Sequence, residues 1–146
     1  MHFLTAAALR IANCRKFLSS GMMQQLVPLF KVSDMRAALK HYTEVLDFNM
    51  SDAGDSRDSV VVDLGNGSVA FQITSIEADN LFGSVVYVWV DNVDEYFKKY
   101  VTRGLDTSSK ANSPVHQGPV DQTWGRREFY VTDADGNTLR FCQRTW

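Results

Sequence analysis

Apolar residues along this chain alternate between two spacings. Leu26 to Val32 is a short apolar run that Ser33 and Asp34 interrupt, and Met35, Ala38, Leu39, Tyr42, Val45 and Leu46 then recur at intervals of three and four. The first pattern predicts a strand and the second an amphipathic helix, with Ser33-Asp34 supplying the N-cap. Val85 to Val90 is a second run, β-branched and aromatic, followed by Asp91-Asn92 and by Val93, Tyr96, Phe97, Tyr100 and Val101 at helical spacing. Asn92 and Glu95 have the spacing of a capping box, and Gly104 is placed to end the helix.

The two segments superimpose at an offset of 58 residues, which sets Asp34 on Asn92, Leu39 on Phe97 and Tyr42 on Tyr100. Each copy is followed by a hairpin pattern. In the first, Ser59 to Gly65 and Ser68 to Thr74 flank Asn66-Gly67, a strong two-residue turn signal. In the second, Glu128 to Asp133 and Asn137 to Gln143 turn at Ala134-Asp135-Gly136. The expectation is an α+β chain of two βαβββ modules, about residues 26–76 and 84–143.

Cross-strand pairing predicts which residues share a face. A two-residue loop at Asn66-Gly67 sets Leu64 opposite Val69, Val62 opposite Phe71 and Val60 opposite Ile73, an apolar face that must cover the helix. The other face then carries Ser59, Val61, Asp63, Ala70, Gln72 and Thr74. A four-residue turn in the second hairpin puts Tyr130, Leu139 and Phe141 on the helix side and Phe129, Thr138 and Arg140 on the other.

Residues 1–21 stand apart as an N-terminal extension to a single domain over 22–146. Phe3, Ala7, Ile11, Cys14 and Leu18 have helical spacing, and Arg10, Arg15 and Lys16 face no acidic residue in this stretch. An appended helix, a targeting segment and a start at Met22 or Met23 are all compatible with it. Residues 22–146 therefore carry a net charge of −5, which suits solubility and weakly favours cationic ligands. Without a basic surface, nucleic acid is not an expected partner, and no apolar stretch approaches the roughly 20 residues of a membrane span. The two cysteines, Cys14 and Cys142, have no metal or disulfide-framework spacing, so a reducing, cytoplasmic setting is expected.

The segment VPLFKVSD at 27–34 with the following helix, YVWV at 87–90, and WGRREFYVTDADGNTLRF at 124–141 resemble the vicinal-oxygen-chelate superfamily of glyoxalases, bleomycin resistance proteins and dioxygenases. The last motif is similar to that of the bleomycin resistance branch, although the second arginine, Arg127, departs from its commoner form. The resemblance implies a glyoxalase-like fold and a homodimer with small-molecule sites at the interface. It also implies that enzymes of the superfamily hold a metal at positions corresponding here to Val27, Gln72, Val85 and Arg140. Valine cannot coordinate and a guanidinium repels a cation, so no metal and no other cofactor is expected. His2, His41 and His116 fall away from those strands.

The function expected from this resemblance is antibiotic-resistance-like sequestration of a planar ligand, with cationic ligands weakly favoured. An enzyme of the glyoxalase or dioxygenase type with an atypical site is the alternative. Candidate ligand-binding residues are Asp63, Gln72, Tyr87, Trp89, Trp124, Phe129 and Arg140, and no catalytic residue is assigned. Tyr87 and Trp89 should line the concave side, where rings stack on a flat ligand or merely fill space between modules. Trp124 follows the segment Asp106 to Thr123 and either helps to close a site or anchors that segment. Asp63, Gln72 and Arg140 are polar groups on an inner face, and an Asp63–Arg140 ion pair would explain two of them structurally. Arg126, Arg127 and Glu128 read as surface or intersubunit charges.

Overall fold

Each apolar run that ends in a capping side chain becomes a strand leading into a helix. The computed structural model describes residues 25–51, 59–77, 83–109 and 118–146. β1 (Leu29–Lys31) leads to α1 (Met35–Lys40), where the Asp34 carboxylate accepts from the Ala37 amide at 3.0 Å. The helix continues as one π turn, His41–Val45, in which the Leu46 amide donates to the His41 carbonyl at 3.1 Å. β2 (Asn49–Met50), β3 (Val61–Asn66) and β4 (Val69–Thr74) complete the first module. β5 (Val85–Trp89), α2 (Val93–Thr102), β6 (Val120–Gln122), β7 (Arg126–Thr132) and β8 (Thr138–Arg144) repeat it. Asn92 caps α2 by accepting from the Glu95 amide at 3.2 Å.

The strands form two four-stranded sheets, ordered β1-β4-β3-β2 and β5-β8-β7-β6. In each, the strand before the helix pairs in parallel with the last strand, and the remaining pairs are antiparallel. This is the two-module α+β architecture that the duplication predicts. One face of each sheet is covered by its helix. There the Phe71 ring lies 5.0–5.2 Å from those of Phe30, Tyr42 and Phe48, and Phe141 lies 4.9 Å from Phe129 and 5.4 Å from Tyr100. Among the described residues, no helix is long and apolar enough to cross a membrane. The N-terminal extension with Cys14, the starts at Met22 or Met23, His2, His116 and residues 110–117 of the segment before Trp124 lie outside the described residues.

Both hairpin registers differ from the sequence expectation, with unequal consequences. In the first, the two loop residues are Gly67 and Ser68, so Leu64 pairs with Phe71 and Val62 with Ile73. Gly67 at φ +61° occupies the first central position of the turn, where only glycine adopts that conformation without strain, while Asn66 stays in the ladder. Pairing moves by two residues, and every side chain keeps its expected face.

In the second, the loop holds five residues, Asp133 to Asn137, where four were expected. The Asp133 carboxylate accepts from the amides of Asp135 and Asn137, each at 2.9 Å, and Gly136 turns at φ +86°. One extra residue exchanges the faces of β7. Phe129 pairs with Phe141 on the helix side, and Tyr130 pairs with Arg140 on the open side. The expectation that Phe129 faces a ligand is therefore corrected: it is core, 1% exposed, beneath α2.

Polar contacts join the modules. The Tyr42 hydroxyl donates to Asp133 Oδ2 at 2.8 Å, and Asn137 Nδ2 donates to the Lys31 carbonyl at 2.8 Å. Asp47 in the first module receives Lys99 of α2 and Arg103, which follows its last residue.

Candidate functional site

The two sheet faces not covered by helices differ in chemistry. On sheet 1, Leu29, Gln72 and Asp63 stand side by side on β1, β4 and β3. Asp63 and Gln72 line an open cavity of about 610 Å³ together with Val27, Met50 and Ala70.

On sheet 2 the corresponding row is Tyr87, Arg140 and Tyr130. The next row contains Trp89, Cys142 and Glu128, and beyond it Arg144 pairs with Arg126. Strand alternation alone brings these residues to one side, because every second residue of β5, β7 and β8 points the same way. Val85, Tyr87 and Trp89 remain 53%, 43% and 50% exposed, an aromatic edge with no covering element among the described residues.

Guanidinium groups lie over these rings. Arg140 Nη1 donates to the Tyr87 hydroxyl at 3.0 Å, and its guanidinium carbon is 4.5 Å from the centre of the Tyr130 ring. Arg126 lies 5.0 Å from the Tyr87 ring and 4.9 Å from that of Trp89, and Arg144 lies 5.6 Å from Trp89. All fall within the roughly 6 Å at which a ring's quadrupole attracts a cation. Burial disfavours the Arg140 charge, but the Tyr87 hydrogen bond and the neighbouring phenols raise its pKa, so it stays charged. Burial and the hydrogen bond to Glu128 push the Tyr130 phenol above its ordinary value.

Glu128 is fully buried and holds the edge of this face together. Its Oε1 accepts from the Trp124 indole N–H at 3.2 Å, and its Oε2 accepts from the Tyr130 hydroxyl at 3.1 Å. Trp124 itself sits in the turn between β6 and β7, half exposed and anchored on this carboxylate.

The predicted residues thus divide between two places. Tyr87, Trp89, Trp124 and Arg140 gather on sheet 2, Asp63 and Gln72 belong to the cavity of sheet 1, and Phe129 belongs to neither. The suggested Asp63–Arg140 pair does not form, since Arg140 turns to Tyr87 and Tyr130 on its own sheet. Sequence reading missed Tyr130, Arg126, Arg144 and Glu128. The signal was the alternation along β7, in which Arg126, Glu128 and Tyr130 share one face while Arg127 faces away to pair with Asp94 at 2.8 Å and Asp121 at 3.0 Å. Arg127 matches the surface reading, whereas Glu128 is buried.

A metal does not fit the positions implied by the resemblance. Val27 and Gln72 on one sheet and Val85 and Arg140 on the other offer one weak neutral donor and a cation. Among the described residues, no three of the His, Cys, Asp and Glu side chains are grouped to hold a metal ion. Cys142 lies on the same face but is enclosed, its thiol donating to the Val88 carbonyl at 3.7 Å.

Residues 26–141 match the family model described as the Glyoxalase/Bleomycin resistance protein/Dioxygenase superfamily. The chain belongs to this superfamily. Among solved structures it is similar to a bleomycin-binding protein complexed with bleomycin, at 20% identity and TM-score 0.64, covering 84% of this chain and 99% of that one. It is likewise similar to a bleomycin resistance determinant encoded on the transposon Tn5, at 18% identity and TM-score 0.66, covering 85% and 100%. A lactoylglutathione lyase from Agrobacterium tumefaciens matches at 15% identity and TM-score 0.59, covering 84% and 95%. At these identities the likeness establishes the fold. No curated protein matches the sequence.

Proposed function

We propose that this protein captures a flat organic molecule without turning it over, against the open face of sheet 2. The observation that carries the reading is the exposed aromatic edge of Tyr87 and Trp89, backed by the Arg126 guanidinium within 5.0 Å of both rings and by a Glu128 whose oxygens are occupied by Trp124 and Tyr130. Rings of this size present large contact area with little side-chain entropy to lose, which suits stacking on a planar partner. Binding without chemistry is supported by the donor set at the superfamily's metal positions and by the inert environment of Cys142.

The reading includes a homodimer. Apolar side chains stand exposed on both open faces, Val27 on the first module and Val85 and Trp89 on the second. A two-fold pairing that sets sheet 1 of one copy over sheet 2 of the other would cover both and form two equivalent sites. The solved structure of a bleomycin-binding protein with bleomycin makes that compound a natural member of a test panel.

Calorimetry and indole fluorescence with bleomycin and a set of planar aromatic compounds test capture, and light scattering tests the dimer. A binding compound should lose at least about 1 kcal/mol of affinity on Trp89→Ala. A panel in which nothing binds, or a ligand indifferent to Trp89→Ala, overturns the proposed site. A monomer at all concentrations removes the shared-site part of the reading.

A further inference from the structure

The net charge of the body and the charge of the site have opposite signs. The open face of sheet 2 carries three guanidinium groups, Arg126, Arg140 and Arg144, against one carboxylate, Glu128. Among the described residues, none of the three arginines has an ion-pair partner, whereas Arg127 on the opposite face is neutralised by Asp94 and Asp121. Arg140 donates to an uncharged phenol, and its Nε is enclosed with no hydrogen-bond partner. Among the described residues, the open face of sheet 1 that would close over this one in a dimer carries one charge of each sign, Lys31 and Asp63.

The acidic surplus of the chain lies elsewhere. Asp94 and Asp121 are committed to Arg127, and Asp47 to Lys99 and Arg103. Charges on the helix side of a sheet are separated from the open face by the protein core and are screened in water over about 8–10 Å, so nearby groups dominate the field a ligand meets.

We infer that the ligand of this site is a planar aromatic carboxylate, its ring stacked against Tyr87, Trp89 and the guanidinium planes and its carboxylate accepting N–H groups from the arginines. This rests on the flat-ligand reading above and reverses the preference for cations suggested by overall charge. Each guanidinium has five N–H donors in one plane, so its face can stack on a ring while its edge remains free to donate. Three such groups interleaved with rings therefore offer both contacts at once. A planar cation would meet the same rings but also three positive charges at close range.

The test compares three probes of the same shape on the full-length protein by calorimetry: naphthoate, its uncharged primary amide, and naphthylmethylammonium. Naphthoate should bind at least about tenfold more tightly than the amide, as hydrogen bonds to a charged acceptor usually give, and the ammonium compound should bind most weakly. The carboxylate-to-amide ratio should shrink as salt rises. It should fall towards unity in Arg126→Gln and Arg144→Gln, and largely persist in Arg126→Lys, with circular dichroism checking that each variant is folded. Equal binding of acid and amide, or tighter binding of the ammonium compound, overturns the inference while leaving the flat-ligand reading in place. Failure of all three probes to bind overturns the inference, and the flat-ligand reading falls with it when the wider planar panel fails as well. Because the decisive comparison uses the unaltered protein, it stands even if a variant does not fold.

Discussion

Cys142 shows how one residue on a candidate binding face can be chemically silent. Its side chain lies in the row between Trp89 and Glu128, fully enclosed, and burial together with the Glu128 charge pushes its thiol from the ordinary 9.0 up to about 11. A thiolate is the reactive form, so the native thiol should resist alkylation near neutral pH and become reactive only as pH approaches that value. In a Cys14→Ser background, iodoacetamide labelling of the native protein should therefore be far slower than that of the unfolded chain. The linkage has a definite sign: between about 9 and about 11 the unfolded chain has lost a proton that the native thiol keeps, so this group's contribution to stability falls as pH rises through that window. Rapid labelling of the folded protein at neutral pH would contradict the enclosure. Its neighbours Phe129 and Tyr130 differ by a single step along β7, yet one is core and the other site. Phe129→Ala should cost about 3–5 kcal/mol in denaturant unfolding, as removal of a buried ring does, whereas Tyr130→Phe keeps its ring, leaves the buried Glu128 short of one donor and should cost about 1–3 kcal/mol.

At the level of elements, the strands, helices and caps were readable in the sequence because each depends on local spacing and a nearby polar side chain. Asp34 and Asn92 cap the helices as their positions imply. Pairing was less readable, since it depends on how many residues a loop holds. Asp133 recruits two amides of its own loop and so fixes five residues there, which reverses the faces of β7. The contact of α2 with the first module was not readable at all, because Asp47, Lys99 and Arg103 are distant in sequence and carry no shared pattern. Burial alone would raise the Asp47 carboxyl, but hydrogen bonds from Lys99 and Arg103 outweigh it and hold the pKa below its ordinary value. A carboxylate so depressed stabilises the native state above its unfolded pKa and loses that contribution as pH falls through the folded value. These groups are partly exposed, so Asp47→Asn should lower stability by only about 0.5–1 kcal/mol at neutral pH. In urea titrations the difference from wild type should vanish in acid, and a difference that persisted there would show that packing, not charge, holds the contact.

For the whole molecule, the duplication predicted two similar modules but left open how they meet. A junction of buried polar groups answers this. Tyr42 is 1% exposed, Asp133 8% and Asn137 0%, and Asp133 Oδ2 accepts from both the Tyr42 hydroxyl and Asn137 Nδ2 at 2.8 and 2.9 Å. The Asn137 side chain also reaches the Lys31 carbonyl and accepts from the Ser84 amide, so a single loop of the second module satisfies groups in both. Burial and the adjacent Asp133 push the Tyr42 phenol far above its ordinary value, which keeps it protonated and a donor across the accessible pH range. Tyr42 also packs against Phe71 and Phe48, so Tyr42→Phe removes the hydroxyl while retaining the ring. Such a deletion leaves a buried carboxylate short of one donor, and the expected loss is about 1–3 kcal/mol. Because the bond crosses modules, the loss should weaken their coupling as well as the total stability. Wild-type protein should unfold in one transition, coincident by tryptophan fluorescence and circular dichroism. In Tyr42→Phe the midpoint should fall, and combining it with Asp133→Asn should cost less than the two single losses together, since both changes remove the same bond. Strict additivity in that cycle would mean that the Tyr42–Asp133 contact does not join the modules energetically.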